Sequence, residues 1–360
     1  MRFIILSLLA LAACSPSSAQ KQGALPFIVT PTQNFNDPWA MTFLPGSGVA
    51  MTNAALITER GGRLLYGIAG KPMVQVSGVP KVEAGGQGGL GDVIADPNWA
   101  GNQLIYLSWV EAGINGTRGA VVGRARLILG AGAPKLEKLE IIWWQSPKVN
   151  GRGHFGHRLA FGPDGKLYVS SGERQKFDPA QDDAANLGKI IVMNADGSDA
   201  KTISKGHRNP LGLAFDARGQ LWNSEMGPQG GDELNLVKAG ANYGWPRASN
   251  GSHYGGGEIP DHRTGDGFEP PKIWWNPSIS PGSLMIYSGT LFPAWKGDAF
   301  IGALGGEALN RIDLDGNRAS KADEWPMNAR IREVEQGPDG AIWLLEDGGS
   351  GRLLKVTPKP

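Results

Sequence analysis

The stretch that decides the fold is "RLAFGPDGKLYVSSGE", residues 158–173. An apolar segment comes first, a turn containing Asp164 and Gly165 follows, and a second apolar and aromatic segment returns. An Asp-Gly turn between two such segments is typical of a β-hairpin, because tight turns favour residues that tolerate a left-handed backbone. The stretch therefore predicts two antiparallel strands joined by a tight turn.

The same pattern occurs five more times along the chain. "GLAFDARGQLWNSEMG" at 212–227 and "EVEQGPDGAIWLLEDG" at 333–348 are close copies, and weaker copies begin at Ala40, Gly91 and Met285. The copies lie about 50 to 70 residues apart with further strand-like segments between them, a spacing typical of β-propellers. We therefore predict an all-β fold, a six-bladed β-propeller with four-stranded antiparallel blades. An irregular β-sandwich is the alternative.

The composition agrees with an all-β globular protein. The chain of 360 residues contains 54 glycines and 25 prolines, which indicates many turns and few long helices. Twelve tryptophans and a hydrophobic fraction of 41% are sufficient to fill a core. The net charge of +1 gives no indication of a nucleic acid or a charged membrane surface as partner.

The N-terminus has the features of a targeting segment. Met1 and Arg2 precede the apolar run "FIILSLLALAA", which is short for a membrane span and ends shortly before Cys14, the only cysteine. "LAAC" resembles the lipobox of bacterial lipoproteins. We expect a signal peptide at residues 1–14, lipidation of Cys14, a tether at 15–30 and one propeller domain at 31–360. The alternative is a plain secretory signal cut near Ala19.

Both alternatives predict export of the mature protein. The lipidated form would be anchored to a membrane at its periplasmic face, through the lipid alone. A single cysteine excludes an internal disulfide bond.

Polar residues flank the three clearest hairpins at corresponding positions. Residues just before the first strand and just after the second lie at the same edge of a hairpin. Around one axis they would converge on one mouth of the central channel, where propeller sites usually lie. These residues are His154 and Glu173 for the first hairpin, Arg208, Asn209, Gly227 and Pro228 for the second, and Arg330 and Arg332 for the last.

The arginines at this mouth indicate the chemistry of a ligand. A guanidinium binds a carboxylate through two parallel hydrogen bonds, so Arg208, Arg330 and Arg332 together favour a planar polycarboxylate. For each arginine alone, a salt bridge within the rim is the alternative.

The segment Gly86-x-Gly88-x-x-Gly91 formally matches a dinucleotide-binding motif. That motif should open a helix, whereas here it runs into the strand-like "VIADPNW". We interpret it as a glycine-rich rim loop that presents Gln87. The chain contains no CxxC, HExxH or GxSxG motif.

Four stretches together resemble a known family. They are "GHRNPLGLAFDARGQLWNSEMGPQGGDELNLVKAGANYGWP", "GGQGGLGD", "HFGHRLAFGPDGKLYVSSGE" and "RIREVEQGPDG". The chain resembles the soluble quinoprotein sugar dehydrogenases of the glucose/sorbosone dehydrogenase family, in particular the bacterial aldose sugar dehydrogenases, from about Asp37 to Val356. The resemblance implies a six-bladed propeller that binds pyrroloquinoline quinone (PQQ), a tricarboxylate, together with calcium. It also implies oxidation of the C1 hydroxyl of aldoses to lactones by hydride transfer to PQQ, with electrons passed to an external acceptor.

The resemblance also implies roles for individual residues. His154 corresponds to the catalytic base, Glu173 to its acidic partner, and Arg208 to the residue that stabilises charge on the quinone. Cofactor contacts would come from His154 and Arg208 and also from Gln87, Asn209, Arg330 and Arg332. The carbonyls of Gly227 and Pro228 would bind the calcium at PQQ, and Glu233 with the Tyr243 carbonyl a second, structural calcium.

Two positions depart from the family pattern. The glucose dehydrogenase members carry a lysine toward the cofactor where this chain has Gly305 or Gly306, and an acidic residue where it has Gly153. Cofactor affinity is therefore expected to be weaker, or another cation to substitute.

Two other functions are compatible with a propeller that carries this rim. A calcium-dependent propeller lactonase would need several inward carboxylate ligands, whereas this rim is rich in arginine. A non-catalytic propeller would bind glycans or proteins at the cell surface. The preferred sugar, the electron acceptor and the choice between monomer and homodimer are not readable from the residues.

Overall fold

The computed structural model describes residues 24–46 and 53–360. The predicted signal peptide, Cys14 and most of the predicted tether lie outside the described residues. Six antiparallel sheets of four strands follow one another along the chain, which confirms the predicted six-bladed propeller. Within the described ranges, no helix has the length and apolar character needed to cross a membrane.

The strands are numbered in chain order, beginning with β1 (Phe27–Phe35). Blade 1 consists of β2 (Pro38–Phe43), β3 (Ala54–Glu59), β4 (Arg63–Ile68) and β5 (Val74–Val76). Blade 2 consists of β6 (Leu90–Ala95), β7 (Leu104–Ala112), β8 (Arg118–Ile128) and β9 (Lys135–Trp144). Blade 3 consists of β10 (Gly156–Phe161), β11 (Leu167–Ser171), β12 (Lys189–Met193) and β13 (Lys201–Lys205).

Blade 4 consists of β14 (Pro210–Phe215), β15 (Leu221–Glu225), β17 (Asp232–Leu236) and β19 (Ile273–Trp275). A separate two-stranded sheet pairs β16 (Gln229–Gly230) with β18 (Gly251–Ser252). Blade 5 consists of β20 (Met285–Ile286), β21 (Ala299–Gly302), β22 (Ala308–Asp315) and β23 (Arg318–Pro326). Blade 6 consists of β24 (Ile331–Gln336), β25 (Ile342–Glu346), β26 (Gly351–Pro358) and β1.

Helical structure is confined to single turns. In the described part of the chain these are α1 (Trp99–Asn102) and the 3-10 turns Ile114–Gly116, Asp178–Ala180 and Pro293–Trp295. The main apolar clusters lie between neighbouring blades; the cluster around Trp109, for example, joins residues of blades 1 and 2. Packing between twisted sheets therefore supplies the core, and the axis remains available for polar groups.

The ring closes through a strand from the other end of the chain. β1 is the outermost strand of blade 6 and pairs antiparallel with β26, so that Phe27 lies opposite Pro358 and Phe35 opposite Gly351. The propeller therefore begins inside the segment predicted as a tether at 15–30, and the boundary predicted at residue 31 is corrected to Phe27. The physical reason is burial, because Phe27 packs against Trp295 and Trp325 and is 2% exposed.

The innermost strands share an irregularity at one end. In blades 1, 2, 3, 4 and 6 the pairing of the first two strands shifts register within the first few residues of the innermost strand. A β-bulge bends its strand and changes the direction of the nearby side chains. The residues directly before these bulges, including His154 and Arg208, form the rim described next.

Candidate active site

His154 and Glu173 form a buried pair at the mouth of blade 3. His154 precedes β10 and Glu173 follows β11, and His154 Nδ1 lies 2.5 Å from Glu173 Oε1. The other oxygen, Oε2, accepts the backbone N–H groups of Lys176 and Phe177 at 2.5 and 2.6 Å. Glu173 is thus fully hydrogen-bonded, and its contact with Nδ1 leaves His154 Nε2 as the free ring nitrogen.

The charge state of this pair follows from burial and from its partners. Burial and the nearby Arg208 lower the pKa of His154 below its usual 6.5, although the hydrogen bond that its Nδ1–H donates to Glu173 acts in the opposite direction. Burial alone would raise the pKa of Glu173, but its bonds to His154 and two backbone N–H groups outweigh burial and lower it. At neutral pH the pair is therefore a neutral imidazole beside a carboxylate, with Nε2 able to accept a proton.

The backbone around the pair adopts uncommon conformations. His154 has φ of 50°, and Arg174, Gln175 and Phe177 have φ between 57° and 65°. Left-handed conformations are costly for residues other than glycine and persist where the surroundings enforce them, often at functional sites. His154 is held by a hydrogen bond from its N–H to Gln87 Oε1 at 2.7 Å.

Gln87 lies on a loop that needs glycine. The loop joins blades 1 and 2, and a Cβ atom on Gly86 would lie 2.5 Å from the Arg152 carbonyl oxygen. Gly86 also has φ of 67°, where a side chain would be strained. Glycine therefore permits the close approach that brings Gln87 to His154, in agreement with a rim loop and not with a dinucleotide site.

The second hairpin places Arg208 and Asn209 through a buried carboxylate. Glu225 accepts the Arg208 backbone N–H and contacts His207 Nδ1, both at 2.8 Å. His207 is fully buried and stacks on Tyr243, so it supports the rim from below. Asn209 Oδ1 accepts the N–H of Gly156, which ties this hairpin to the one that carries His154.

The Arg208 side chain has unused hydrogen-bonding capacity. Its Nη1 donates to the Met226 carbonyl at 3.0 Å, but its buried Nε has no partner among the described residues. Burial lowers the pKa of this guanidinium. A buried N–H without an acceptor is costly, and such a group at a rim fits a ligand that supplies the acceptor.

A cavity of about 260 Å³ brings together four of the residues predicted to contact a cofactor. These are Gln87, Asn209, Arg330 and Arg332, and Asp347 also lines the cavity. Asp347 lies 2.9 Å from Arg330 Nε and 2.7 Å from Arg332 Nη2. The salt bridges considered from the sequence thus exist, but two guanidiniums share one carboxylate, and positive charge remains in excess.

A second, much smaller cavity of about 10 Å³ brings together both predicted calcium pairs. Gly227, Pro228, Glu233 and Tyr243 all line it, and so do Glu225 and Arg208. Burial and the charge of Glu225 raise the pKa of Glu233 well above its ordinary value. A buried carboxylate of this kind needs a cation or a proton to neutralise it.

The donor set at this cavity fits calcium and not a transition metal. Nowhere in the described ranges do three His, Cys, Asp or Glu side chains come together as a metal site. A cation here would therefore depend on backbone carbonyl oxygens as well as Glu233, and calcium accepts such oxygen ligands readily.

Sequence reasoning missed several residues of the rim. Arg60 lines the larger cavity directly after β3. Phe177 stacks on Trp245 at 5.6 Å, and Trp245 lies 5.2 Å from the Arg208 guanidinium. The expectation that both ends of a hairpin lie at one edge could have identified Arg60. Arg60 follows the second strand of blade 1, as Glu173 follows the second strand of blade 3. The aromatic residues lie in loops, where no periodicity indicates them.

Comparisons with known proteins agree with this arrangement. The family model for glucose/sorbosone dehydrogenase matches residues 35–355. The chain is 36% identical over 342 residues to the aldose sugar dehydrogenase YliI of Escherichia coli (strain K12), covering 89% of this chain and 90% of that protein. It is 26% identical over 416 residues to quinoprotein glucose dehydrogenase B of Acinetobacter calcoaceticus, covering 89% and 85% of the two proteins.

Solved structures of similar proteins share the architecture. The apo soluble aldose sugar dehydrogenase of Escherichia coli superposes with a TM-score of 0.85 at 36% identity, covering 92% of this chain and all of that one. The PQQ-bound aldose sugar dehydrogenase of Streptomyces coelicolor superposes with a TM-score of 0.75 at 27% identity, covering 92% and 98%. From the match to the family model and the identity to these relatives, the chain belongs to the glucose/sorbosone dehydrogenase family of sugar-oxidising dehydrogenases.

Proposed function

We propose that this protein is a PQQ-dependent aldose sugar dehydrogenase that oxidises the C1 hydroxyl of aldoses to lactones and passes the electrons to an external acceptor. The observation that carries the proposal is the His154–Glu173 pair, a buried base beside a cavity bordered by guanidiniums. The PQQ-bound relative from Streptomyces coelicolor supports the choice of cofactor.

The residues of the larger cavity fit PQQ. Arg330 and Arg332 offer guanidinium N–H groups to carboxylates, and Gln87 and Asn209 offer amides. Arg208 lines the smaller cavity instead, and its unpartnered Nε is a further donor, suited to an oxygen that gains negative charge. When bound, PQQ supplies the two-electron acceptor for the hydride that leaves C1.

The chain's own residues manage the proton and the developing charge. His154 Nε2 takes the proton of the C1 hydroxyl, and Glu173 stabilises the imidazolium through Nδ1–H. The three hydrogen bonds of Glu173 fix its carboxylate, so the ring keeps one orientation during the reaction. The proton on His154 is then released to solvent, and the neutral base is restored.

Calcium is proposed at the smaller cavity, held by the carbonyls of Gly227, Pro228 and Tyr243 and by the Glu233 carboxylate. The buried charge of Glu233 supports a cation there, because the neighbouring Glu225 makes an unpaired carboxylate unfavourable. Because both predicted pairs line one cavity, a single ion serves them better than two separate ions.

We further propose that the protein is exported and anchored at the periplasmic face of a membrane through a lipid on Cys14.

The proposal is tested with the chain from Lys21 onward, stripped of metal with a chelator. PQQ and calcium are added together and separately, and aldose-dependent reduction of an artificial dye is followed. Activity that requires PQQ and calcium together supports the proposal. Failure to bind PQQ at micromolar concentration would overturn it, and acid release from a lactone without any electron acceptor would instead identify a lactonase.

A further inference from the structure

We propose that Arg60, which follows β3 of blade 1, is part of the cofactor site and binds one carboxylate of PQQ together with Arg330 and Arg332. The inference rests on the proposed function, because it names a further residue for the same cofactor. It assigns a ligand-binding role to a side chain that otherwise looks like a structural anchor.

Arg60 is held in place but is not saturated. Its Nε and Nη2 donate to Asp37 Oδ2 at 2.9 and 2.5 Å, and its Nη1 donates to the Gly86 carbonyl at 2.8 Å. A guanidinium carries five N–H donors, so two remain for a ligand. The side chain is 24% exposed and lines the larger cavity, which makes it available to a ligand there.

The charges around the cavity favour a ligand with more than one anionic group. Arg60, Arg330 and Arg332 face only two carboxylates, since Asp37 pairs with Arg60 and Asp347 pairs with the other two. Burial lowers the pKa of Arg332, and the charge of Arg60 acts in the same direction. Like charges held around one cavity repel each other, and a polycarboxylate would relieve that repulsion.

Among the described residues, blade 5 supplies no cation to this cavity. Leu304 of blade 5 lines it, and the next two positions, Gly305 and Gly306, carry no side chain. In this chain the third positive charge comes instead from blade 1, through Arg60.

The competing interpretation is purely structural, since the bond from Arg60 to Gly86 also supports the loop that carries Gln87. The test is a titration with PQQ, followed by tryptophan fluorescence and absorbance, on wild type, Arg60→Gln and the control Arg63→Gln. Arg63 is 48% exposed, pairs with Glu59 and does not line the cavity. A second series uses the trimethyl ester of PQQ, which lacks the three negative charges.

We expect Arg60→Gln to weaken PQQ binding by about 10- to 100-fold, the effect of losing one hydrogen bond to a charged group. Arg63→Gln should bind as wild type does, and Arg60→Gln should lose little affinity for the ester. Unchanged PQQ affinity in Arg60→Gln would overturn the inference, and so would an equal loss for PQQ and its ester, which indicates loop damage.

Arg60→Lys replaces Arg60→Gln in both titrations if the latter is poorly folded, because it keeps a charge toward Asp37 but loses guanidinium donors. It should also bind PQQ less tightly than wild type, and unchanged PQQ affinity would again overturn the inference.

A rescue variant gives a further test. Gly305→Lys adds a cation next to Leu304, which lines the cavity; its Cβ would lie 2.8 Å from the Ser280 hydroxyl oxygen and 3.3 Å from Ser280 Cβ, so the Ser280 side chain must shift. In the Arg60→Gln background it should regain at least part of the lost PQQ affinity. If wild type fails to bind PQQ, the proposed function itself is wrong. If wild type binds PQQ and the added lysine restores no affinity, only the role proposed for Arg60 is wrong.

Discussion

His154 Nδ1 lies 2.5 Å from Glu173 Oε1, and the second oxygen of Glu173 is already occupied by two backbone N–H groups. Glu173 is 1% exposed, so neither oxygen is available to a substrate. In the proposed reaction, the carboxylate therefore positions the imidazole and stabilises its charged form, while His154 Nε2 is the atom that meets the sugar. This division of roles leads to two separable predictions.

Replacing the base should abolish most of the activity without loss of the cofactor. We expect His154→Ala to lower kcat/KM for aldoses by about 10²- to 10⁴-fold, the usual contribution of a general base. PQQ affinity should change far less, because the arginines that border the cavity remain. Dye-reduction kinetics and a PQQ titration measure the two effects, and a fall in both by the same factor would mean that His154 mainly holds the cofactor.

The pH profile should report His154 and its partner. The base works only when neutral, so kcat/KM should fall as pH decreases through its pKa, which lies below 6.5. Glu173 raises this pKa, so Glu173→Gln should move the acid limb to lower pH and also lower the maximal rate. An acid limb centred above 6.5, or one that Glu173→Gln leaves in place, would contradict the assignment.

Calcium should stabilise the protein through Glu233. After chelation, added calcium should raise the melting temperature of wild type and have much less effect on Glu233→Gln, which lacks the carboxylate at the small cavity. A ligand at 100 times its Kd stabilises a protein by about 2.7 kcal/mol, which a thermal scan resolves. The control is Glu269→Gln, since Glu269 pairs with Lys238 and Lys272 and does not line that cavity. An equal response of both variants would show that calcium binds elsewhere.

The sequence was sufficient for the blades and for much of the rim because both depend on local signals. Asp-Gly turns between apolar segments specify hairpins, and a hairpin brings its two ends to one edge. The sequence alone therefore predicts that His154 and Glu173 lie together. The same rule places Arg60 as well, because Arg60 follows the second strand of the weaker copy that begins at Ala40.

Other features depend on contacts between distant parts of the chain. The pairing of β1 with β26 joins residues more than 300 positions apart, and nothing local in the segment around Phe27 indicates its partner. The left-handed backbone at His154 and Phe177 likewise follows from the bonds that converge on Glu173 and Gln87. The smaller cavity is lined by Gly227, Pro228, Glu233 and Tyr243. Their grouping depends on loops whose sequences show no periodic pattern.

The closing strand gives a prediction about stability. Phe27 is 2% exposed, and its ring meets Trp325 at 5.1 Å and Trp295 at 6.0 Å in edge-to-face geometry. Truncating a buried phenylalanine typically costs about 3–5 kcal/mol, so Phe27→Ala should lower the urea midpoint markedly. The neighbouring Ile28 points to the other face and is 41% exposed, so Ile28→Ala should cost much less.

The comparison isolates burial from pairing, because both variants keep the backbone bonds between β1 and β26. If Phe27→Ala lowered the midpoint no more than Ile28→Ala, the buried aromatic contact would not be what holds the closing strand in place. If Phe27→Ala alone has a large effect on stability, this variant should also bind PQQ more weakly near its urea unfolding transition, because blade 6 carries Arg330 and Arg332. Closure of the ring and the shape of the cofactor cavity would then share one structural cause.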